Sequence, residues 1–310
     1  MKKRFSALLF LSVVSCACRP TAPARYVPTV DEAAWEAAHD AENLSDREAA
    51  LRGYTRLCER PEPYVRACLD SVRLRFKLRP IEEARLSAIE FITRFPDEGY
   101  AQSAVKRLAR SFSKNDEYEE GFSTLTALSD KVRKTEIRDT VLYETARLAR
   151  KFGDGKSEEN ILKLLVKEYG RWESQLWDDA VWRLSEIARD NANREAEKKW
   201  LRTLLNVQQD SWLIGSYTTP FHGDTLLRLG YLLLGESKPT EALTLFEQAV
   251  ELRGSRVVDE ALLGAAKAHI ALGQKSAACR TLAKVLSRDT SKRYLNQART
   301  LELSLRCISR

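Results

Sequence analysis

Hydrophobic and polar positions follow a helical pattern along most of the chain, and the clearest example is the segment 223–252. This segment predicts two short helices joined by a tight turn. Gly230 on the first helix and Ala242 on the second are small, which lets the helices approach closely, and Phe246 would fill the space beside them. One such pair cannot bury its apolar face alone, so further pairs must stack on either side.

The rest of the sequence favours helix as well. No stretch has the alternating β-branched pattern of strands, and Ala, Leu, Arg and Glu dominate the 310 residues. The chain is 44% hydrophobic and 31% charged, which allows a large core but excludes a bundle of membrane helices. We therefore predict an all-α protein.

The spacing of Gly230, Ala242 and Ala249, with Phe246 between the last two, resembles the tetratricopeptide repeat (TPR) family. In that family small residues occupy positions 8, 20 and 27, and an aromatic residue occupies position 24. Most candidate repeats are longer than the strict 34 residues. Candidates for position 20 recur along the chain, at Ala50, Ala84, Gly121, Glu158, Ala196, Ala242 and Ala278. The resemblance implies a TPR-like α-solenoid, a right-handed superhelix of about seven helix pairs.

The solenoid is expected over residues 31–310, with an unpaired last helix, residues 293–308, as its C-terminal cap. The fourth repeat is the weakest, because Glu158 places a charge where a small residue belongs; a two-residue shift to Asn160 is the alternative. The fifth repeat relies on Ala196 at position 20 and has Trp200 at position 24.

The first residues predict a targeting segment. Three basic residues precede an apolar core at 6–14 that is too short to span a bilayer. The sequence Val-Val-Ser-Cys ending at Cys16 resembles the bacterial lipobox. This resemblance implies a signal peptide over residues 1–15, lipidation of Cys16 and, since Ala17 follows, an anchor in the outer membrane facing the periplasm. The alternatives are an ordinary cleaved signal or an inner-membrane anchor.

The segment 16–30 would form a flexible tether, since residues 17–29 hold three Pro and no helical period. Removing residues 1–15, which carry three basic and no acidic groups, lowers the formal net charge from +7 to +4. A mildly basic periplasmic protein does not indicate a nucleic-acid partner.

Motifs of catalysis and cofactor binding are not found. The three His are dispersed, and no zinc spacing, phosphate-binding loop or hydrolase motif occurs. We expect no enzyme activity, no cofactor, no metal and no small-molecule substrate.

The cysteines can be placed on the repeats. Cys58 falls near the end of a second helix and Cys68 near the start of the next first helix. Cys279 falls at the start of a second helix and Cys307 near the end of the one that follows. Antiparallel neighbours bring end and start together, and the periplasm is oxidising. We predict disulfides Cys58–Cys68 and Cys279–Cys307; buried free thiols are the alternative.

The TPR resemblance implies that first helices line a concave groove. In repeats two to four, ten of the eighteen groove positions are basic: Arg66, Arg73, Lys77, Lys106, Arg107, Arg110, Lys114, Arg147, Arg150 and Lys151. Later repeats place apolar residues there, including Val181, Trp182, Leu227, Tyr231 and Leu263. We predict a groove whose basic half binds an acidic segment of a protein partner. The alternative is that these charges only solvate the helices.

The chain resembles bacterial TPR lipoproteins. This resemblance implies a lipid-anchored scaffold or adaptor that helps to assemble an envelope complex, such as outer-membrane, secretion, pilus or motility machinery. Residues 178–188 also resemble the helical domain of lytic transglycosylases. The alternative function is therefore a peptidoglycan-associated factor without a catalytic domain. The aromatic insertion at 208–222 either packs back on the stack or forms a binding lip.

Overall fold

The computed structural model describes residues 29–206, 219–252, 257–288 and 290–307, and within these ranges the chain forms fifteen α-helices and no strand. Fourteen helices form seven consecutive pairs and the last is single. Their bounds are α1 Val30–Asn43, α2 Arg47–Cys58, α3 Val65–Leu78, α4 Ile81–Arg94, α5 Ala101–Lys114, α6 Tyr118–Lys131, α7 Arg138–Phe152, α8 Gly155–Glu168, α9 Trp177–Asp190, α10 Arg194–Leu205, α11 His222–Gly235, α12 Pro239–Glu251, α13 Val258–Ala271, α14 Lys275–Leu286 and α15 Lys292–Leu305. The predicted all-α solenoid of seven helix pairs and a capping helix is confirmed.

Each helix packs on its neighbours in sequence, as expected of a stacked array. First helices also contact one another directly, α3 with α5, α5 with α7, α11 with α13, and α13 with α15. These first helices therefore lie side by side in two runs, one from α3 to α7 and one from α11 to α15.

Tight turns separate the two helices of most pairs, and their sequence explains where the helices end. Six of these turns contain a residue with positive φ, which ends the preceding helix: Ser45, Asp116, Gly153, Ala192, Ser237 and Gly273. The α3–α4 turn instead uses Pro80, which forces Arg79 into an extended conformation. The second helices α2, α8 and α10 begin with a side-chain cap from Asp46, Asp154 and Asn193.

The interior of the stack is built from small residues facing large ones. Phe246 is fully buried, and its ring lies between two glycines of neighbouring first helices. A Cβ atom would come within 2.7 Å of this ring at Gly230 and within 2.5 Å at Gly264. The helices thus approach each other at a distance that only glycine permits at these two positions.

The register of the fifth repeat differs by one residue from the prediction. The small-residue position lies four residues after the N-cap, as with Asp46 and Ala50 in α2. Counted from the Asn193 cap, this position is Glu197, which is buried, whereas Ala196 is partly exposed. Leu201, rather than Trp200, is the fully buried residue one turn later. The cap fixes where a helix begins, and it outweighs the preference for a small residue.

The fourth repeat keeps its register, so the alternative shift to Asn160 is wrong. Glu158 is buried in the small-residue position, while Asn160 is exposed. Arg183 of the next first helix donates to both carboxylate oxygens of Glu158, at 2.7 and 3.1 Å. A charge is tolerated there because the following repeat supplies its partner.

Both cysteine pairs of the sequence analysis occur as disulfides in this structure. Cys58 at the end of α2 is bonded to Cys68 of α3, with a Cα–Cα distance of 4.8 Å. Cys279 of α14 is bonded to Cys307, just after α15, with a Cα–Cα distance of 5.7 Å. The first disulfide joins the first two pairs, and the second joins the last pair to the capping helix.

Several predictions fall on residues outside the described ranges: the signal peptide, Cys16, most of the tether and most of the insertion at 208–222. Phe221, at the end of that insertion, stacks on Trp182 with ring centroids 5.0 Å apart, so this aromatic packs on the solenoid. Among the described helices, none combines the length and the apolar composition that a membrane span requires.

Candidate protein-binding groove

The first helices carry the predicted groove residues, and of α3, α5 and α7 the helix α5 has the largest net positive charge. Its sequence, AQSAVKRLARSFSK, contains four cations and no acid. Ala104, Val105, Leu108 and Phe112 are buried and form one face of the helix. The opposite face exposes cations spaced by one helical turn. We call the four cations, Lys106, Arg107, Arg110 and Lys114, the basic stripe.

The cations of α3 are largely neutralised within the chain. Arg73 donates from both terminal nitrogens to Glu42 of α1, and its Nε lies 3.1 Å from Asp70. Lys77 lies 3.8 Å from the same Glu42 carboxylate. The hydrogen bonds from Arg73 hold the pKa of Glu42 below its usual range. The first helix pair thus supplies the acid that satisfies the α3 cations.

Three more of the ten predicted cations have partners of their own. Arg66 lies 3.7 Å from the centroid of the Trp35 ring. Arg147 donates to Glu144 at 2.9 and 3.0 Å. Arg150 lies 3.9 Å from Glu158. Among the described residues no acid lies within 4.0 Å of the other five, which are the basic stripe and Lys151. The free positive charge of the groove is therefore concentrated on α5, with one further cation on α7.

Arg107 differs from the rest of the stripe, because its side chain is half buried. Its Nε is buried without a hydrogen-bond partner. Burial lowers the pKa of Arg107 from its usual range, and the nearby cations Arg73 and Arg110 lower it further, with only Asp70 opposing them. A guanidinium in this position is stabilised by an added anion.

A comparison between repeats explains why Arg107 is unsatisfied. Arg107, Arg183 and Arg228 are each the seventh residue of their first helix. Arg183 pairs with buried Glu158, and Arg228 pairs with buried Glu197 at 2.6 Å, each Glu being the fourth residue of the preceding second helix. The corresponding residue before α5 is Ala84, which is fully buried in α4. The α5 arginine therefore lacks the carboxylate that its two counterparts have.

A cleft of about 380 Å³ opens beside the stripe, between α5 and α7, with the start of α9 at one end. Lys106 and Arg110 line it from α5, and Arg147 and Lys151 line it from α7. Its acidic members are buried Glu144 and half-buried Asp179, and Tyr143 lies among them. Burial raises the pKa of Glu144, and the charge and hydrogen bonds of Arg147 oppose this rise.

The predicted apolar half of the groove is not formed by the residues expected to line it. Val181, Leu227 and Leu263 are buried in the core between helices. Trp182 and Tyr231 are only partly buried and pack against that core. These positions therefore contribute to the packing of the stack.

No group of three or more His, Cys, Asp or Glu residues is arranged to hold a metal ion within the described ranges. The arrangement can bind through charge and hydrogen bonds along the first helices, which is the usual capacity of a helical solenoid.

Comparison with known proteins agrees with this architecture. Residues 260–291 match the family model described as tetratricopeptide repeat. This protein has a TPR-like solenoid fold. No curated protein sequence matches the chain.

Solved structures of TPR proteins are similar to this solenoid. The C-terminal part of a TPR repeat-containing protein from Cytophaga hutchinsonii is 11% identical, with 85% of this chain and 98% of that chain covered and a TM-score of 0.53. A TPR protein from Parabacteroides merdae is 13% identical, with coverages of 88% and 98% and a TM-score of 0.40. YrrB, a TPR protein with an unusual peptide-binding site, is 13% identical, with coverages of 69% and 97% and a TM-score of 0.45. At these identities the likeness concerns the fold alone.

Sequence reasoning missed the acids that divide the TPR groove into neutralised and free parts. Glu42 lies on the first helix of repeat one and Glu158 on a second helix, so neither is among the groove positions predicted for repeats two to four, and neither is Asp179. The sequence does show that Arg107, Arg183 and Arg228 occupy equivalent positions, but only when Glu197, and not Ala196, is aligned with position 20 of the fifth repeat.

Proposed function

We propose that this TPR protein is a scaffold that holds an acidic segment of a protein partner against the basic stripe of α5. The observation that carries the proposal is the half-buried guanidinium of Arg107, which has no acid within 4.0 Å among the described residues although its counterparts in two other repeats do. A carboxylate of the partner would take the place of the missing glutamate. Arginine can bind a carboxylate through two parallel hydrogen bonds, which gives orientation as well as affinity.

The rest of the stripe would extend this contact along the helix. Lys106, Arg110 and Lys114 follow one another at four-residue intervals, which corresponds to a span of about 12 Å. Consecutive cations are about 6 Å apart along the helix axis, which is less than the distance over which salt screens charge, about 8 Å at physiological ionic strength. The cations therefore act on one short segment together, and binding should weaken as salt is added.

The cellular setting of this scaffold is proposed from the sequence. The lipobox-like pattern at Cys16 supports a lipid anchor, and the Ala at position 17 supports the outer membrane, with the solenoid in the periplasm. In that setting a groove for protein segments fits a role in assembling an envelope complex. Replacing Cys16 by Ser should abolish labelling with radioactive palmitate and release the protein from the membrane fraction. Labelling that persists would refute the anchor.

The groove itself is tested by crosslinking in cells followed by mass spectrometry. The variant Lys106→Glu/Arg110→Glu reverses two exposed cations of the stripe and should lose the partner captured by the wild-type chain. The matched control is Arg52→Glu/Arg56→Glu, which makes the same charge change at the same spacing on exposed positions of α2. Capture lost in the control as well, or retained in the stripe variant, would contradict the proposal.

A further inference from the structure

Asp179 is an acid that lines the basic cleft and has no close cation partner in the part of the chain that the structure describes. It is the third residue of α9, it is half buried, and it lines the same cleft as Lys106, Arg110, Arg147 and Lys151. Among the described residues no cation lies within 4.0 Å of its carboxylate, and its side chain makes no hydrogen bond with them.

Most other sheltered acids on α7, α8 and the start of α9 have a cation close by. Glu144 is held by Arg147, Glu158 by Arg183 and Asp178 by Arg171. Asp139 of α7 is also buried and has no cation within 4.0 Å among the described residues, but it accepts hydrogen bonds from Thr140 and Ser174, whereas Asp179 accepts none. The start of a helix favours a carboxylate in general, but Asp178 and Asp179 both occupy the first turn of α9, and only one of them has an arginine.

The electrostatics of Asp179 agree with the absence of a partner. Burial raises its pKa above the usual range, and the neighbouring Asp178 carboxylate raises it further. No cation of the cleft offsets these two effects, although four of them line its other walls. The cleft is therefore divided, with positive charge on the α5 and α7 walls and an uncompensated acid on the α9 wall.

We propose that this cleft binds an amphoteric segment of the partner, in which acidic side chains lie on the cations of α5 and α7 and one basic side chain pairs with Asp179. The inference rests on the proposed function and specifies the partner's chemistry. Neighbouring helix axes lie about 8–10 Å apart, and an extended chain advances about 3.3 Å per residue. The basic residue should therefore lie about three to six residues from the acidic ones.

If net charge alone governed binding to the groove, a basic residue in the partner segment would weaken binding. The proposal expects it to strengthen binding, so one experiment distinguishes the two. The full-length purified protein is titrated into two fluorescein-labelled twelve-residue peptides, with binding followed by fluorescence anisotropy. The amphoteric peptide carries three Asp followed four residues later by Lys, and the acidic peptide has Gln in place of that Lys. Net charge alone favours the acidic peptide. The divided cleft favours the amphoteric peptide by about three- to fivefold in Kd, as expected of one partly sheltered ion pair.

Variants assign the preference to Asp179. Asp179→Asn is close in size and should remove the preference for Lys while leaving the affinity for the acidic peptide unchanged or higher. The control Asp190→Asn changes an exposed acid near the other end of α9, outside the cleft, and should retain the preference. Circular dichroism checks that each variant is folded.

The outcomes separate the two proposals. Binding of the acidic peptide that equals or exceeds binding of the amphoteric one overturns the inference and leaves the scaffold proposal standing. A preference for Lys that survives in Asp179→Asn also overturns it. If neither peptide binds, and the Lys106→Glu/Arg110→Glu variant behaves as wild type, both the inference and the proposed function fail.

Discussion

The ion pair between Glu158 and Arg183 is the clearest place to test how this solenoid tolerates an irregular repeat. Glu158 is 3% exposed and occupies a position that is Ala or Gly in five of the seven pairs. It joins α8 of the fourth pair to α9 of the fifth. We expect Glu158→Ala to destabilise the protein, even though it restores the small residue that the repeat pattern favours.

The magnitude follows from the contacts that are lost. Removing one partner of a buried ion pair costs about 3–5 kcal/mol, because the other charge stays buried and unpaired. Here the Arg183 side chain is 21% exposed and keeps Glu186 at 3.1 Å. We therefore expect a smaller loss, about 2–3 kcal/mol. Replacing both residues, as in Glu158→Ala/Arg183→Leu, should return to within about 1 kcal/mol of wild type, since the charges that then lose a partner, Glu186 and Arg150, are both partly exposed to solvent.

The assay is urea unfolding followed by far-ultraviolet circular dichroism, with the midpoint and the slope both fitted, since repeat arrays can unfold in more than one step. Glu159→Ala is the matched control. The adjacent Glu159 forms a more exposed pair with Lys163 at 2.6 Å, so its removal should cost less than about 0.5 kcal/mol. A loss in Glu158→Ala no larger than in this control would refute the reasoning, as would a double variant less stable than the single one.

Three further predictions concern packing, titration and disulfides. Gly264→Ala should destabilise the protein by about 1–3 kcal/mol, seen as a lower midpoint of thermal unfolding, because the added Cβ would clash with the buried Phe246 ring. The control Gly99→Ala has open space around it and should leave the midpoint unchanged. Asp179→Asn should be more stable than wild type at pH 7, because a raised pKa in the native state means that the ionised carboxylate opposes folding. This gain in stability should vanish as the pH falls below the pKa of Asp in the unfolded chain, about 4. An equal gain at pH 3 would contradict the reasoning. Peptide mapping without reductant should recover both disulfide-linked fragments, and four free thiols would contradict the pairing.

The fold of this protein was determined by local features that the sequence displays directly. Small residues at regular intervals, with a large apolar residue one turn later, specify helix pairs that must stack, and no distant information is needed to see them. The number of pairs, the capping helix and the two cysteine pairings followed from this periodicity. The register failed only at Ala196, where a helix cap moved the repeat by one residue and placed Glu197 inside.

The candidate site depended on tertiary contacts that periodicity does not reveal. Whether a groove cation is free is decided by acids on other helices, such as Glu42 for Arg73, 31 residues away, and Glu158 for Arg183, 25 residues away. The sequence placed ten cations along the first helices, but only the packed structure separated the five with partners from the five without. Electrostatic energy falls with distance in space, so charge balance, unlike helix periodicity, is a property of the folded stack.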